Sequence, residues 1–540
     1  MADIVFINGQ VVTADSSNRI AEAVAVTGNR IVAVGQNEKI KNLITDATAV
    51  IDLRGKSLLP GFIDSHLHIT LHGTNKLAIN CKEPQMKSLD DIFDKLKRKA
   101  QQTPKGEWIR AWGFNETAIA EQRYPTRIEL DEISSDHPIM IMRTCAHHSI
   151  VNSQALKIAG INDKTPDPPG GKFDRDCYGN LNGFLIETAH MQMLNAAKYS
   201  EMELRKGIAL ASDHYVEAGI TSIHDAGGND ADSLRAMQLA VQAGEVKVRI
   251  YAMLSSLNHS AKYVRRITES GMVTGLGNEY FKIGPAKVFT DGASSVPTMA
   301  TREPYTSNPN ESGVLYYDQN ELNEVLGEAH KKGLQITAHA QGDRAIDMLL
   351  TCMETALKEF PRDNHRHRIE HAGLSMPDLI KRMKKLNVIP IPNPNFFYEF
   401  GDAYIKHIGE RVNQMYPLRD LLDSGLVVAC GSDNPVSDHN PLLGIHCAVN
   451  RRSMSGQEAG LSQRVDVLEA IKMYTWNGAY ASFEEEFKGS IEPGKLADLV
   501  ILDQEILTIP TEHIKELNVE STIIDGKFVY QSETSNLSYN

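Results

Sequence analysis

Cysteine is scarce and scattered in this chain of 540 residues: Cys81, Cys145, Cys177, Cys352, Cys430 and Cys447, with no CxxC pair. That distribution excludes a dense disulfide framework, argues against a cysteine-built zinc site, and fits a reducing, cytoplasmic setting. Long apolar runs are missing too. The longest, such as Gly425 to Cys430 and Leu499 to Leu502, fall far below the ~20 residues that span a bilayer. No basic run occurs and the formal net charge is −13, which argues against a nucleic-acid backbone or an anionic membrane as the main partner. The opening residues Met1 to Gly9 show no basic segment followed by an apolar one, so no secretion signal is read there.

What is present suits a soluble globular protein with a large core: 41% hydrophobic and 23% charged residues. The length suggests about two to four folding units. The most telling stretch runs from Leu58 to His68, an apolar run ending in two imidazoles, His66 and His68, one residue apart. Residues i and i+2 of a strand point to the same face, so both rings can reach one metal ion. Alone, such a pair among 19 histidines is weak.

Both ends of the chain read as short strands joined by turns. Near the start these are Ile4 to Ile7, an Asn8-Gly9 turn, Gln10 to Thr13, Ala23 to Val26 and Ile31 to Val34; near the end, Asp498 to Leu502, Ser521 to Ile524, an Asp525-Gly526 turn and Lys527 to Tyr530. A small β-domain shared by both termini would explain why neither piece carries a core of its own. Between Gly219 and Pro435 apolar strands alternate with helix-like segments such as Glu321 to Lys332 and Asp378 to Leu386. The strands are Thr221 to His224, Val246 to Met253, Ala286 to Phe289, Gln335 to His339, Arg368 to His371, Val388 to Ile391 and Val427 to Cys430. With Leu58 to His68 added the count is eight, the number that closes a parallel (β/α)8 TIM barrel. The stretch from Leu71 to Met202 fits neither pattern. It reads as a large insertion after barrel strand 1, helical at Leu89 to Gln102 and loop-rich around Pro166 to Gly171, set where it can act as a lid. The expected division is therefore 1–57 and 488–540 for a β-sandwich, 58–71 for the first barrel strand, 72–202 for the insertion and 203–487 for the rest of the barrel.

Candidate metal ligands fall at the ends of these strands, the face where barrel enzymes keep their chemistry. After His66 and His68 come Lys287 in Gly284 to Gly292, His339 ending Ile336 to His339, His371 ending Arg368 to His371, and Asp433 ending Ala429 to Asp433. Imidazole nitrogen and carboxylate oxygen suit a borderline divalent ion such as zinc, which lowers the pKa of a bound water to about 7. Asp433 can take a proton from that water and return it to a leaving group, so it is also the candidate catalytic acid-base residue.

This ordered set, with Leu59 to Asp64 before the histidines and Lys495 to Val500 near the end, resembles the amidohydrolase superfamily. More narrowly it resembles the YtcJ-like, N-substituted formamide deformylase-like branch (amidohydrolase family 3). The branch features are His147 with Val151 to Leu156, Ala340 to Ala345 and Gly431 to Val436. The resemblance implies a distorted (β/α)8 barrel plus a β-sandwich from both termini. It also implies two divalent ions, held by His66 with His68 and by His339 with His371, bridged by N-carboxylated Lys287, with Asp433 at the attacking water. The implied activity is metal-dependent hydrolysis of a non-peptide C–N bond in a small-molecule N-substituted amide or formamide by metal-activated hydroxide. A homo-oligomer is compatible with it.

Plainer readings stand beside these. Lys287 can be a buried lysine paired with Asp291, leaving one ion, and Asp433 can be a turn residue. Asp291, His224 and His147 are candidate substrate-binding residues, or groups that orient ligands and satisfy loop amides. Phe396, Phe397 and Tyr398, where a Gln-Pro pair is the more usual style, suggest an aromatic-walled pocket or ordinary packing. The alternative activities are a deaminase or cyclic-amide hydrolase on the same centre, an ester or lactone hydrolase, and a low-turnover metal-containing regulatory or binding protein.

Overall fold

A computed structural model describes every residue except 145–146, 229–230, 257–258, 534, 536 and 540, so Cys145 lies outside the described residues. The other five cysteines are free thiols. Contacts divide the chain into two compact units, Met1–Ile69 with Ser212–Asn540, and Thr70–Ala211.

In the first unit the two ends of the chain share a β-sandwich. One sheet runs in the order 538–539, Ala49–Asp52, Ile4–Ile7, Ala23–Thr27, Arg30–Gly35. The other runs Lys527–Gln531, Val519–Ile524, Leu499–Leu502, Ser57–Pro60, Gln10–Val12, Ile20–Ala21. Leu499 pairs with Pro60 and Ile501 with Leu58, and Phe6, Val24, Leu58, Leu499, Ile501 and Ile523 meet in one fully buried core. Each such side chain contributes about 1.5–3 kcal/mol on leaving water, and half of them come from each end of the chain. The Asp525-Gly526 turn, with both residues at positive φ, closes an antiparallel hairpin as Asp-Gly pairs favour. Asn8-Gly9 does otherwise. It passes the chain from one sheet to the other rather than closing a hairpin, and a Cβ on Gly9 would strike Leu53 at 2.3 Å.

The barrel sheet is wholly parallel. Its strands are β1 (Phe62–Leu67), β2 (Ile220–Asp225), β3 (Arg249–Leu254), β4 (Phe281–Phe289), β5 (Ile336–Ala340), β6 (Arg368–His371) and β7 (Ile389–Ile391), neighbours in that order. Two expectations change here. The run from Leu58 to His68 is two strands, because Ser57–Pro60 stays in the sandwich and only Phe62–Leu67 enters the barrel. Gly61 makes the crossing possible, since a Cβ there would meet the Thr221 side chain at 2.2 Å. The eighth strand, expected at Val427 to Cys430, is instead an irregular segment that still closes the ring. The Ala429 amide donates to the Pro390 carbonyl in β7 and the Gly431 amide to the Pro392 carbonyl just beyond it, and the Ser65 amide of β1 donates to the Cys430 carbonyl. Proline at 390 and 392 cannot donate in return, which denies this edge a continuous ladder.

The second unit carries a six-stranded sheet, Gly171–Arg175, Leu181–Glu187, His148–Val151, Ile139–Arg143, Ile109–Phe114, Ile79–Asn80. Its helix Leu89–Gln102 begins at a Ser88/Asp91 capping box and buries Leu89, Ile92 and Leu96, three positions at helical spacing. Among the described residues no helix is long and apolar enough to cross a membrane.

Candidate metal centre

The barrel brings six of the sequence-derived residues to one end of its strands. His66 lies in β1 with His68 just beyond it, Lys287 lies near the end of β4, His339 near the end of β5, and His371 ends β6. Asp433 comes from the closing segment, which is stitched to β1 on both sides. The Asp433 amide donates to the His66 carbonyl at 2.6 Å, and the His68 amide to the Asn434 carbonyl at 2.8 Å. Asp433 and His371 both take positive φ, 59° and 70°. Non-glycine residues hold that conformation only where their surroundings impose it. The rings cluster tightly: His66 lies 4.6 Å from His371, and His371 4.5 Å from His339.

Each imidazole has one nitrogen committed to an acceptor. His66 Nδ1 meets Glu370 at 2.5 Å, His68 Nδ1 the Gly227 carbonyl at 2.7 Å, His339 Nε2 the Gly292 carbonyl at 3.1 Å, and His371 Nδ1 the Asn393 side-chain oxygen at 2.7 Å. The Asn393 amide is itself oriented, because its NH2 group donates to the Gly431 carbonyl. A neutral imidazole carries one proton, so these acceptors fix the tautomers. Lone pairs remain on Nε2 of His66, His68 and His371 and on Nδ1 of His339. Burial favours the neutral form: it pushes His339 down to about 4 and His371 well below the usual histidine value.

The free nitrogens of His66 and His68 face a carboxylate. Asp433 Oδ1 sits 2.9 Å from His68 Nε2 and 3.3 Å from His66 Nε2, and one ligand atom from each of the three residues lies within 4.8 Å of the others. With both imidazole protons engaged elsewhere, lone pairs point at lone pairs, an arrangement that a cation among them makes favourable. The donor set, imidazole nitrogen with one carboxylate oxygen, fits a divalent ion of the zinc type. Lys287 is fully buried with Nζ 3.4 Å from His66 Nε2, and burial lowers its amine to about 8.

Asp291 is not paired with Lys287. Its carboxylate accepts from the amides of Ala300, Gln341 and Gly342 and lies 3.4 Å from His339 Nε2, so it organises the loops around His339. Burial raises its pKa to about 7. His224 is fully buried, with Nδ1 accepting from Arg368 at 2.9 Å. His147 belongs to the 70–211 unit, where it is exposed and pairs with Glu187 at 3.0 Å. Phe396 and Phe397 are buried, and Phe396 stacks on His371 with centroids 6.0 Å apart; Tyr398 meets His446 edge-on.

The amidohydrolase family model matches residues 49–530, which takes in every residue of this cluster. The chain belongs to the amidohydrolase family. It is 30% identical to the N-substituted formamide deformylase of Arthrobacter pascens, over 98% of this chain and 99% of that one. It is also 30% identical to the putative amidohydrolase YtcJ of Bacillus subtilis, over 94% and 96%. A metal-dependent hydrolase of Pyrococcus horikoshii has the same fold, with a TM-score of 0.78 and 26% identity over 94% of this chain and 99% of that one. This amidohydrolase is accordingly a metal-dependent enzyme of a family that hydrolyses carbon–nitrogen bonds, with a distorted TIM barrel and a His/Asp candidate metal site.

Sequence reasoning missed the groups that hold this amidohydrolase's site in shape. Asp64 is fully buried and accepts from the Ser432 hydroxyl at 2.6 Å, the Ser432 amide at 3.0 Å and the His66 amide at 3.1 Å, splicing β1 to the segment that carries Asp433. Glu370 and Arg368 were legible in principle, as charged residues at i and i+2 of a strand that is otherwise buried. Asn393 and the two carbonyls left no signal.

Proposed function

We propose that this amidohydrolase hydrolyses an N-substituted amide or formamide of small-molecule size, releasing a carboxylic acid, formic acid in the formamide case, and an amine. What carries the reading is the convergence of the His66 and His68 lone pairs on Asp433, with the His371 and His339 rings and buried Lys287 packed beside them. His66 and His68 would hold one ion and His339 and His371 a second, with zinc the metal their donor set favours. Lys287, kept unprotonated more easily by burial, would bridge them as a carbamate, adding the anion that four neutral imidazoles and one carboxylate leave short. When bound, the metal polarises water and the scissile carbonyl. Asp433 accepts the water's proton and returns it to the departing nitrogen, a transfer that contributes about 10² to 10⁴-fold. Asp291 keeps the Ala300, Gln341 and Gly342 amides and His339 in register and so shapes the mouth. Likeness to the formamide deformylase over nearly the full length supports the choice of leaving group.

A panel of N-alkyl and N-aryl formamides, assayed for formate and free amine with the zinc-loaded protein, tests this. At least one member should turn over, and Asp433→Asn should lower kcat about 10²-fold or more. Release of ammonia from amino-substituted substrates with no formamide consumed would move the enzyme to the deaminases, and ring-opening of a cyclic amide alone to the cyclic-amide hydrolases.

A further inference from the structure

We propose that Glu370 is a positioning residue for the metal centre: its carboxylate holds His66 with Nε2 toward the ion, and Arg368 holds that carboxylate in place. The proposal rests on the metal-dependent reading of His66, His68 and Asp433 and extends it to the barrel interior beneath them.

Of the four imidazoles, His68 and His371 lean on neutral acceptors and His339 on the Gly292 carbonyl with Asp291 further off at 3.4 Å, whereas His66 makes a short contact to a carboxylate, at 2.5 Å. Glu370 is saturated with donors. Oε1 accepts from Thr337 Oγ1 and Arg368 Nε, both at 2.8 Å, and Oε2 from Arg368 Nη2 at 3.0 Å as well as from His66. Arg368 gives two further donors to His224 Nδ1 at 2.9 Å and to the Ser65 carbonyl of β1 at 2.7 Å. Every one of these side chains is fully buried.

A buried ion pair of this kind adds little stability over well-packed apolar residues of the same volume, so stability does not explain its presence. Position does. The pair links β6 to β1 and β2 directly under His66, the ring that also touches His371 and Lys287. A carboxylate on Nδ1–H fixes the tautomer and makes Nε2 a stronger donor to a metal. Arg368 meets both oxygens of Glu370, Nε on Oε1 and Nη2 on Oε2, so the group that His66 leans on is a paired, fixed carboxylate.

Competition titration of zinc against a chelator, on full-length protein, tests this without any substrate. Glu370→Gln should weaken zinc binding about 10–100-fold, while Thr337→Val, which leaves the carboxylate in place, should stay close to wild type. Because Glu370→Gln strands the Arg368 charge, the double variant Arg368→Met with Glu370→Gln serves where the single one does not fold, and the same weakening is expected. Wild-type affinity in either variant overturns the proposal. Without any change at Glu370 or Arg368, 15N-histidine NMR of metal-free wild type reads the His66 tautomer, assigned by the signal lost in His66→Asn. A proton on Nδ1 is expected, and a proton on Nε2 alone overturns the proposal. Wild-type protein that binds no divalent ion would remove the metal centre itself, whereas failure of the formamide panel alone would leave this proposal standing.

Discussion

At the residue scale, histidine does two different jobs in this molecule, and hydrogen bonding separates them. The site imidazoles each keep one nitrogen uncommitted. Three others, His330, His365 and His367, keep none: His367 Nδ1 accepts from the Ile336 amide, His367 Nε2 meets His330 Nδ1, His330 Nε2 meets the Phe360 carbonyl, and His365 bridges the His367 amide and the Leu386 carbonyl. Each is a neutral ring with both nitrogens used, a structural group rather than a ligand. Burial pushes His365 down to about 4 and His367 well below the usual histidine value, with His330 also lowered. The sign follows from proton counting. Below pH ~6.5 an unfolded histidine takes up a proton, whereas folded His365 resists until near pH 4 and His330 and His367 are also shifted down, so the unfolded state binds more protons across that window. Stability is unaffected above the window and falls as pH drops through it. Melting temperatures between pH 7.5 and 5 should therefore decline, and less steeply in His365→Gln, which keeps a donor for Leu386. Parallel declines in the two proteins would show that His365 is not a source of the effect.

At the element scale, the parallel strands were legible because each is a short apolar run bounded by turn residues and separated by helices. Pro377–Leu386 and Gln319–Lys331 fall within two residues of where apolar spacing and terminal signals put them. What was not legible was membership. Nothing in Leu58 to His68 says that its first half pairs with residues some 440 positions later while its second half enters the barrel, since pairing partners are a tertiary property. The closing segment was read as a strand from its apolar run, but prolines in and just after β7 remove the donors that a ladder needs. In its place the segment depends on close backbone approach. A Cβ on Gly431 would lie 2.4 Å from the His66 amide nitrogen and 2.6 Å from His66 Cβ. Gly431→Ala should accordingly cost about 1–3 kcal/mol as an overpacked site and also lower metal content, because the strain falls on β1 at a candidate ligand. Elemental analysis with a urea melt checks both. A variant destabilised but still fully metal-loaded would detach the segment's packing from the site.

At the scale of the whole molecule, the candidate ligands draw together β1, β4, β5, β6 and the closing segment, from His66 near one end of the chain to Asp433 near the other. The sandwich joins the termini independently, and Arg249 ties it to the barrel: Arg249 is buried in β3 and bonds Asp498 at 2.7 and 3.0 Å and Asp525 at 2.7 Å. These two closures predict different responses. An ion that binds only the folded state adds RT ln(1 + [L]/Kd), about 2.7 kcal/mol at a hundredfold excess over Kd. Chelator should thus lower the melting temperature of wild type, and His68→Ala should melt at the same temperature with or without chelator. Arg249→Met strands the buried Asp498 carboxylate beside half-buried Asp525 and should cost about 3–5 kcal/mol, in metal-loaded and metal-free protein alike. Thermal scans of the three proteins in zinc and in chelator decide the matter. A chelator-induced shift that persists undiminished in His68→Ala would place the stabilising ion somewhere other than at His66, His68 and Asp433.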